Sequence, residues 1–563
     1  MSSNEKFSVK ILVLDDERLI RMTICAQLKV AGYEAVSVGT VDEAVAILKK
    51  SHRGISAIIS DIMMGDMDGF VFRDIVRGID ASIPIFFITA LDPEEGSGFL
   101  KKIIADPISY YLPKSAGTDT LVKRLQRVVG ARRIQQFVTN QVIEQRKSLA
   151  LAAHVQRSML PVRAMMDDWC FYATWWRAHA SVSGDLYEAM PIGTNRMLFV
   201  LGDIQGHGTN AALVMMAVQA FLRQITHAQT RDKRQLTPEY IANQLHGFFR
   251  SNFADVSYMT ATICIYASSD AQSACENEVS YISCGTADLM MFDSNAENLK
   301  TGNADHRGGL PIGLMPDTVY TADDVVSIGL PPGTVCIACT DGLLELSRDE
   351  DGQEKVPMHL LERMGVEVLK DVCANGAMMA APYRFMAACV ELGYNHFLDD
   401  VMLLIFGARR NLPGIYEATT LLSPALVDAA AQNLGTWCAQ EGWPEELVGR
   451  VQLVLEEKLM NIHDHGFDDQ HRRKDVVSLR LRLKLDYAEL TVWDCGQPPP
   501  SLKVAAGITE TALDLVNNDL SNHGRGRLMV RQLCDGIQRQ RFGSLNETIF
   551  LIPQQVNKEG KYK

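Results

Sequence analysis

Apolar, β-branched runs edged by a carboxylate recur along this chain, and that repetition limits what it can fold into. Five acids in the middle of the chain stand beside such runs: Asp185 in SVSGDLYE, Asp203 in LGDIQGHG, Asp341 in ACTDGL, and the pair Asp399-Asp400 in LDDVMLLI. Side chains alternate along a strand, so an acid at a strand end is delivered to the rim of a sheet. Several acids gathered on one rim make a site for hard divalent cations, suited to hydrolysing a phosphate ester. Carboxylate donors select Mg²⁺ or Mn²⁺ over softer metals.

At 563 residues the chain has room for about three or four domains. A net charge of −13 argues against a nucleic-acid partner, because no surplus of Lys and Arg exists to neutralise phosphates. No apolar run approaches the roughly 20 residues that span a bilayer, so no membrane partner is expected. The first residues, MSSNEKFSVKILVLDDE, lack a signal-peptide pattern, and a cytoplasmic location is expected. The twelve cysteines stand singly in apolar contexts, as in a reducing compartment. Cys336 and Cys339 of GTVCIACTDG fall on opposite faces of an alternating strand, which argues against zinc or a disulfide there.

Residues 1–125 alternate strand and helix. VKILVLDDE, SAIISDIMM and IPIFFITA read as buried strands, with RMTICAQLKVAGY and VDEAVAILKK as helices between them. This order predicts a doubly wound parallel sheet that binds ligands at the carboxyl ends of its strands. Those ends carry Asp15, Asp16, Asp61, Thr89 and, in YYLPK, Lys114. Carboxylates, a hydroxyl and a lysine together suit a Mg²⁺ pocket around a phosphorylatable aspartate. The segment resembles the receiver domain of response regulators. The resemblance implies that Asp61 accepts a phosphoryl group from an upstream histidine kinase and that Asp15 and Asp16 help to bind Mg²⁺. It further implies that Thr89 and Lys114 contact the phosphoryl group and that Tyr111 is the aromatic switch. Pro113 stands before the lysine, where the family's proline follows it.

Residues 126–160 read as one long helical linker. With Leu121 at position a, the a positions carry Val128, Val142 and Leu149, and the d positions Ala131, Val138, Ala152 and Met159. Arg124, Gln135, Gln145 and Gln156 interrupt that seam. The helix therefore reads either as a weak coiled coil that makes a homodimer or as a single helix packed on its own domains. Its AxxxQRSMLP ending resembles the start of SpoIIE-like phosphatases.

Residues 161–410 begin and end in strands: RMLFVLGDI, TATICIYA, VSYISCG, TVCIACTDG and DDVMLLIFG. NAALVMMAVQAFLRQI and PEYIANQLHGFFRSNF are helical between them. Two sheets with helices outside are expected. The acids, in this order, resemble the PP2C type of serine/threonine phosphatase, in its SpoIIE/RsbU-like branch. The resemblance implies an α/β/β/α sandwich and a pair of Mn²⁺ or Mg²⁺ ions held by Asp185, Asp203, Asp341 and either Asp399 or Asp400. It implies hydrolysis of phosphoserine without a covalent intermediate. Two departures stand out: Glu188 where the family has Asp, and SCGTADLMMF where it has AGHxPxLL.

Pro413-Gly414 marks a boundary, and residues 413–556 form the last segment. LVDAAAQNLGTWCAQEG and ELVGRVQLVLEEKLMNIHDHGF are helical, and SLRLRLKL alternates as a half-buried strand. Glu457 and Asn461, four apart, share one helix face. Asn461 suits a Mg²⁺ ligand and Glu457 a catalytic base. Asp494 with Gly496 suits adenine recognition, and Gly524 with Gly526 allows close approach to phosphates. Together they resemble the GHKL ATPase fold, an α/β sandwich, and VLEEKLMNIHDHG resembles the anti-sigma-factor serine kinases of the RsbW/SpoIIAB type. ATP with Mg²⁺ is the implied cofactor.

The expected fold class is thus a multidomain α/β chain: receiver, helical linker, PP2C sandwich, GHKL sandwich. The order resembles the CrsR/HsbR-like three-domain partner-switching regulators. That resemblance implies a serine on a STAS-domain anti-sigma-factor antagonist as the substrate that the chain dephosphorylates and phosphorylates. The alternative reading makes the C-terminal domain a non-catalytic module that sequesters a sigma factor or the antagonist, and a sigma factor or anti-sigma factor is the further partner expected.

Overall fold

In a computed structural model the described residues are 9–51, 54–64, 67–90, 103, 105–206, 208–232, 236–253, 257–268, 277–302, 309–331, 333–409, 412–467, 476–496, 511–513, 525–542 and 544–554. Gly524, His207 and Pro498 to Pro500 lie outside them. The chain divides into two compact units, Met1–Lys147 and Ser148–Lys563.

The first unit is built on a parallel sheet. Its strands lie in the order Glu34–Val38, Lys10–Leu14, Ile55–Asp61, Ile85–Thr89 and Ser109–Pro113. The central strands are apolar throughout because both faces are covered. Leu12, Ile58 and Phe87 pack toward one face, and Ile11, Ile59 and Phe86 toward the other. A helix spans Thr118–Met159, and its first turns seal the second face with Leu121, Leu125 and Val129.

The second unit begins with a sandwich of two antiparallel sheets. One is ordered Leu186–Gly193, Arg196–Ile204, Met259–Ala267, Asn277–Cys284 and Val326–Leu330. The other is ordered Asn298–Thr301, Met290–Asp293, Thr334–Cys339, Val401–Ala408, Cys170–Arg177 and Ala164–Met166. Alternation along the strands sends one set of side chains between the sheets, among them Tyr172, Phe199, Tyr266, Cys336 and Phe406. The other set faces outward, and helices cover it. Helices Thr209–Asp232 and Pro238–Asn252 pack over the first sheet, and Met358–Asn375 and Ala381–Glu391 over the second. Cys336 lies between the sheets and Cys339 under the outer helices, so alternation separates the two thiols.

The remainder is a six-stranded sheet ordered Ile415–Leu421, Val476–Leu483, Tyr487–Asp494, Leu545–Pro553, Gly536–Phe542 and Thr511–Leu513. Helices Pro424–Gln440 and Glu445–His465 pack on one face through Val427, Leu434, Val451 and Leu455, with Leu479, Leu481 and Leu490 beneath them. The opposite face rests on the sandwich. Trp493 and Leu545 join the core cluster formed by helices Met358–Asn375 and Ala381–Glu391.

Candidate functional site

The sandwich brings its acids to one end of the facing sheets. Asp203 lies near the end of its strand, one residue before Ile204, and pairs across the ladder with Thr260. Asp185 immediately precedes the partner strand Leu186–Gly193 and is 1% exposed. Asp341 opens a short turn after the strand Thr334–Cys339, and Asp399-Asp400 precedes Val401–Ala408. Gly342 allows the last two segments to meet, since a Cβ there would fall 1.9 Å from the Asp400 carbonyl oxygen. Cβ–oxygen distances that short do not occur, so a glycine after Asp341 is a steric requirement of the rim.

The electrostatics follow from that crowding. Burial, then the carboxylates of Asp341, Asp399 and Asp400, push Asp203 up to about 8. Burial, with Asp203 and Asp400, holds Asp185 well above the usual carboxylate range, although the Thr340 hydroxyl donates to it across 3.0 Å. Burial also raises Asp399, with Asp400 and Asp341 adding to it. The groups that raise these acids, after burial itself, are other carboxylates. A cluster with that imbalance and only hard oxygen donors fits divalent cations.

Asp399 and Asp400 differ in what they touch. Both Asp400 oxygens accept main-chain N–H groups, from His179 and from Gly184, each at 2.7 Å. Asp400 is 4% exposed. Asp399 accepts one N–H, from Asp400, at 2.8 Å and is only partly buried.

In the first unit Asp61 ends its strand, Thr89 ends the next, and Lys114 follows the one after. Lys114 Nζ donates to Asp61 Oδ2 at 2.6 Å and lies 3.5 Å from Asp15 Oδ2. Asp61 Oδ1 accepts the Ile62 N–H at 2.7 Å. Ligand oxygens of Asp15, Asp16 and Asp61 lie within 4.8 Å of one another, a spacing that one cation can bridge. Burial raises Asp15, with Lys114 opposing. Burial alone would lower the Lys114 ammonium, but Asp61 and Asp15 outweigh it and push it up. Tyr111 lies two strand positions away from Pro113, partly buried against the core face that carries Phe87.

In the C-terminal domain Glu457 and Asn461 sit one turn apart, and Asn461 Nδ2 donates to the Glu457 carbonyl at 2.7 Å. Asp494 is 4% exposed at the end of its strand. Its Oδ1 accepts the Gly496 N–H at 3.0 Å and Asn546 Nδ2 at 2.8 Å, and its Oδ2 lies 3.5 Å from Lys458 Nζ. Gly496 has no room for a side chain, because a Cβ would meet the Gly466 carbonyl oxygen at 2.5 Å. Gly526 falls in the helix Arg525–Leu533. Sequence reasoning missed Lys458 and Asn546. Lys458 follows Glu457 directly and was visible as a cation on the same helix, whereas Asn546 reaches Asp494 only through the strand pairing of Asp494 with Asn546.

Comparison with known proteins finds three family matches in succession. Family models match residues 11–126 as a response regulator receiver domain, 193–409 as stage II sporulation protein E (SpoIIE), and 421–551 as a histidine kinase-like ATPase domain. Phosphoserine phosphatase RsbP of Bacillus subtilis (strain 168) is 26% identical over 213 residues, covering 38% of this chain and 47% of that protein. The two-component response regulator ARR2 of Arabidopsis thaliana is 28% identical over 126 residues, 22% of this chain and 18% of that protein. The chain therefore spans less than half the length of these curated relatives. Among solved structures, the RsbU and RsbW domains of Rv1364c from Mycobacterium tuberculosis align with 70% of this chain and 95% of theirs, at 17% identity and a TM-score of 0.37. The chain is a multidomain α/β protein in which a receiver domain, a SpoIIE-type PP2C domain and a histidine kinase-like ATPase domain follow one another.

Proposed function

We propose that this chain is a metal-dependent protein serine/threonine phosphatase of the PP2C type, switched by phosphorylation of its receiver at Asp61. One observation carries the reading: Asp185, Asp203, Asp341 and Asp399 crowd one end of the sandwich, where burial and then the neighbouring carboxylates push Asp203 up to about 8. Those four residues would hold a pair of Mn²⁺ or Mg²⁺ ions. Such ions, when bound, neutralise a phosphate ester and make water a competent nucleophile near neutral pH. The protein's own part is positional. Asp400, bonded to the His179 and Gly184 amides, fixes the loop that presents Asp185. Thr340 orients the Asp185 carboxylate from the strand end before Asp341. Asp399, not Asp400, is the ligand of that pair, since it has an oxygen to spare.

The substrate is phosphoserine on a STAS-domain anti-sigma-factor antagonist, and an upstream histidine kinase supplies the signal. The C-terminal domain rephosphorylates that serine, with Glu457 as base, Asn461 on Mg²⁺, and Asp494, Gly496, Gly524 and Gly526 around ATP. A second reading rests on Asp494. Its carboxylate is already engaged by Asn546, the Gly496 N–H and Lys458. A domain that holds its adenine-reading acid this way suits sequestration of a sigma factor or antagonist without turnover. ATP-dependent transfer to the antagonist that Glu457→Ala and Asn461→Ala abolish supports the kinase. Binding of the antagonist without transfer supports sequestration.

A further inference from the structure

The loop that carries Asp185 is irregular, so its main chain needs partners outside a sheet ladder. Ser183, two residues before the acid, is 0% exposed. Both of its main-chain groups are satisfied by one side chain. Gln156 Nε2 donates to the Ser183 carbonyl at 2.6 Å, and the Ser183 N–H donates to Gln156 Oε1 at 3.1 Å. Gln156 is itself 1% exposed and lies in the last turn of the helix Thr118–Met159. The Ser183 hydroxyl then accepts the Asp185 N–H at 3.0 Å. A chain of three hydrogen bonds thus runs from the Gln156 amide to the residue that presents the acid.

A second tie brackets Asp185 from the other side. Arg223 Nη2 donates to the Met159 carbonyl at the end of the same helix, and Arg223 Nε donates to Glu188 Oε1 at 3.0 Å. Glu188 is 1% exposed and lies three residues after Asp185 on the strand that follows it. The final turn of the helix therefore grips the chain at positions 183 and 188, with the acid between them.

We propose that Gln156 is a positioning residue for the phosphatase reaction, setting the affinity of the acid cluster for its divalent cation by fixing the Ser183–Asp185 segment. The role rests on the phosphatase reading above. The residue type follows from the geometry. A carboxamide offers one donor and one acceptor in a plane, as a peptide group requires, whereas a carboxylate offers acceptors alone and an aliphatic side chain offers neither. Loss of the pair leaves two buried main-chain groups unsatisfied and frees the segment to move. Residues that hold a metal ligand in place typically alter affinity by about tenfold to a hundredfold when removed.

The test uses the full chain with Gln156→Leu and Gln156→Glu. Mn²⁺ binding is measured by electron paramagnetic resonance of the free ion, counting only the binding that Asp341→Ala removes, and phosphate release is followed against Mn²⁺ concentration. Gln156→Leu is expected to weaken that binding by about tenfold or more, and Gln156→Glu by less, with kcat at saturating Mn²⁺ within about threefold of the parent. Gln156→Glu keeps the shape of the side chain, so the comparison survives if the leucine variant folds poorly. Unchanged Mn²⁺ affinity in both variants, or a fall in kcat at saturation with affinity intact, would overturn the proposal. The binding readout stands apart from turnover: a chain with no phosphatase activity, yet with Asp341-dependent Mn²⁺ binding weakened by Gln156→Leu, would sink the phosphatase reading and leave the positioning role intact.

Discussion

The Arg480 guanidinium donates to the Asn375 main-chain carbonyl across 2.7 Å, so a side chain of the C-terminal sheet caps the end of a helix in the phosphatase domain. A cation at that end opposes the partial negative charge of the exposed carbonyls. Arg480 is 4% exposed and also donates to Glu489 and Thr491, each at 3.1 Å. Beside it Arg384 spans Asp371 of the phosphatase helix and Glu547 of the sheet, at 2.8 and 3.1 Å. With Trp493 and Leu545 in a shared core, these two domains make one structural unit.

Removal of that arginine should therefore be felt in both domains. Arg480→Ala strands the Asn375 carbonyl and weakens the partnership of a buried glutamate, at a cost of about 3 kcal/mol. Calorimetry should show a lower midpoint for the transition that contains the phosphatase domain. An unchanged midpoint would mean that the seam contributes nothing to stability.

Asp399 and Asp400 should separate cleanly. Asp399→Ala is expected to abolish metal-dependent hydrolysis with little loss of stability, because it removes a group that others repel. Asp400→Ala leaves the buried Gly184 N–H and the His179 N–H without acceptors and should cost about 2 kcal/mol in thermal unfolding. Equal stability of the two variants would contradict the division of labour.

The metal-free protein should lose stability as pH rises. The Asp203 carboxyl is held up to about 8, above its value of 3.8 in an unfolded chain. The folded state therefore binds that proton more tightly, and stability falls between pH 4 and 8, where the unfolded chain has given up the proton and the fold still holds it. Unfolding midpoints in EDTA should drop over that range. Asp203→Asn should flatten the slope, and saturating Mn²⁺ should remove it. A midpoint in EDTA that climbs over the same range would count against the crowding of these acids.

Lys114 is the counterion of Asp61 and Asp15. Its pKa is raised in the fold, so its contribution is complete at neutral pH and lost only above the ordinary lysine range. Lys114→Ala leaves Asp61 and Asp15 without the ammonium that pairs with them. Hydrogen exchange at the strand Ile55–Asp61 should speed up in EDTA, reflecting a loss of about 2 kcal/mol, and Mg²⁺ should restore protection. Exchange unaltered by the substitution would argue that the ion pair is incidental.

The acid-bearing strands were legible because burial on both faces leaves few ways to write them. Val335, Ile337 and Cys339 face the outer helices, Cys336 and Ala338 face the other sheet, and the next acid, Asp341, must fall at the rim. What escaped was contact between distant segments. In SLRLRLKL the alternation was readable, yet it implies a polar face turned to solvent. Leu479 and Leu481 do face the helices of their own domain, but Arg480 on the opposite face is buried under the phosphatase. No local pattern announces a covered face when its residues are charged. Gln156 was equally opaque, since in the heptad frame it reads only as a break in an apolar seam, and its partner Ser183 is an unremarkable loop serine. The proposed choice between Asp399 and Asp400 rests on the His179 and Gly184 amides, which the linear motif does not contain.

We propose a phosphatase whose acid cluster is switched through Asp61. The decisive measurement is Mn²⁺-dependent release of phosphate from a phosphoserine peptide by the full chain, with and without beryllofluoride, against an Asp341→Ala blank. Release is expected that beryllofluoride raises, that Asp341→Ala abolishes, and that Asp61→Ala leaves insensitive to beryllofluoride. Release no greater than the blank in either state, or release that beryllofluoride lowers or leaves unchanged, would contradict it.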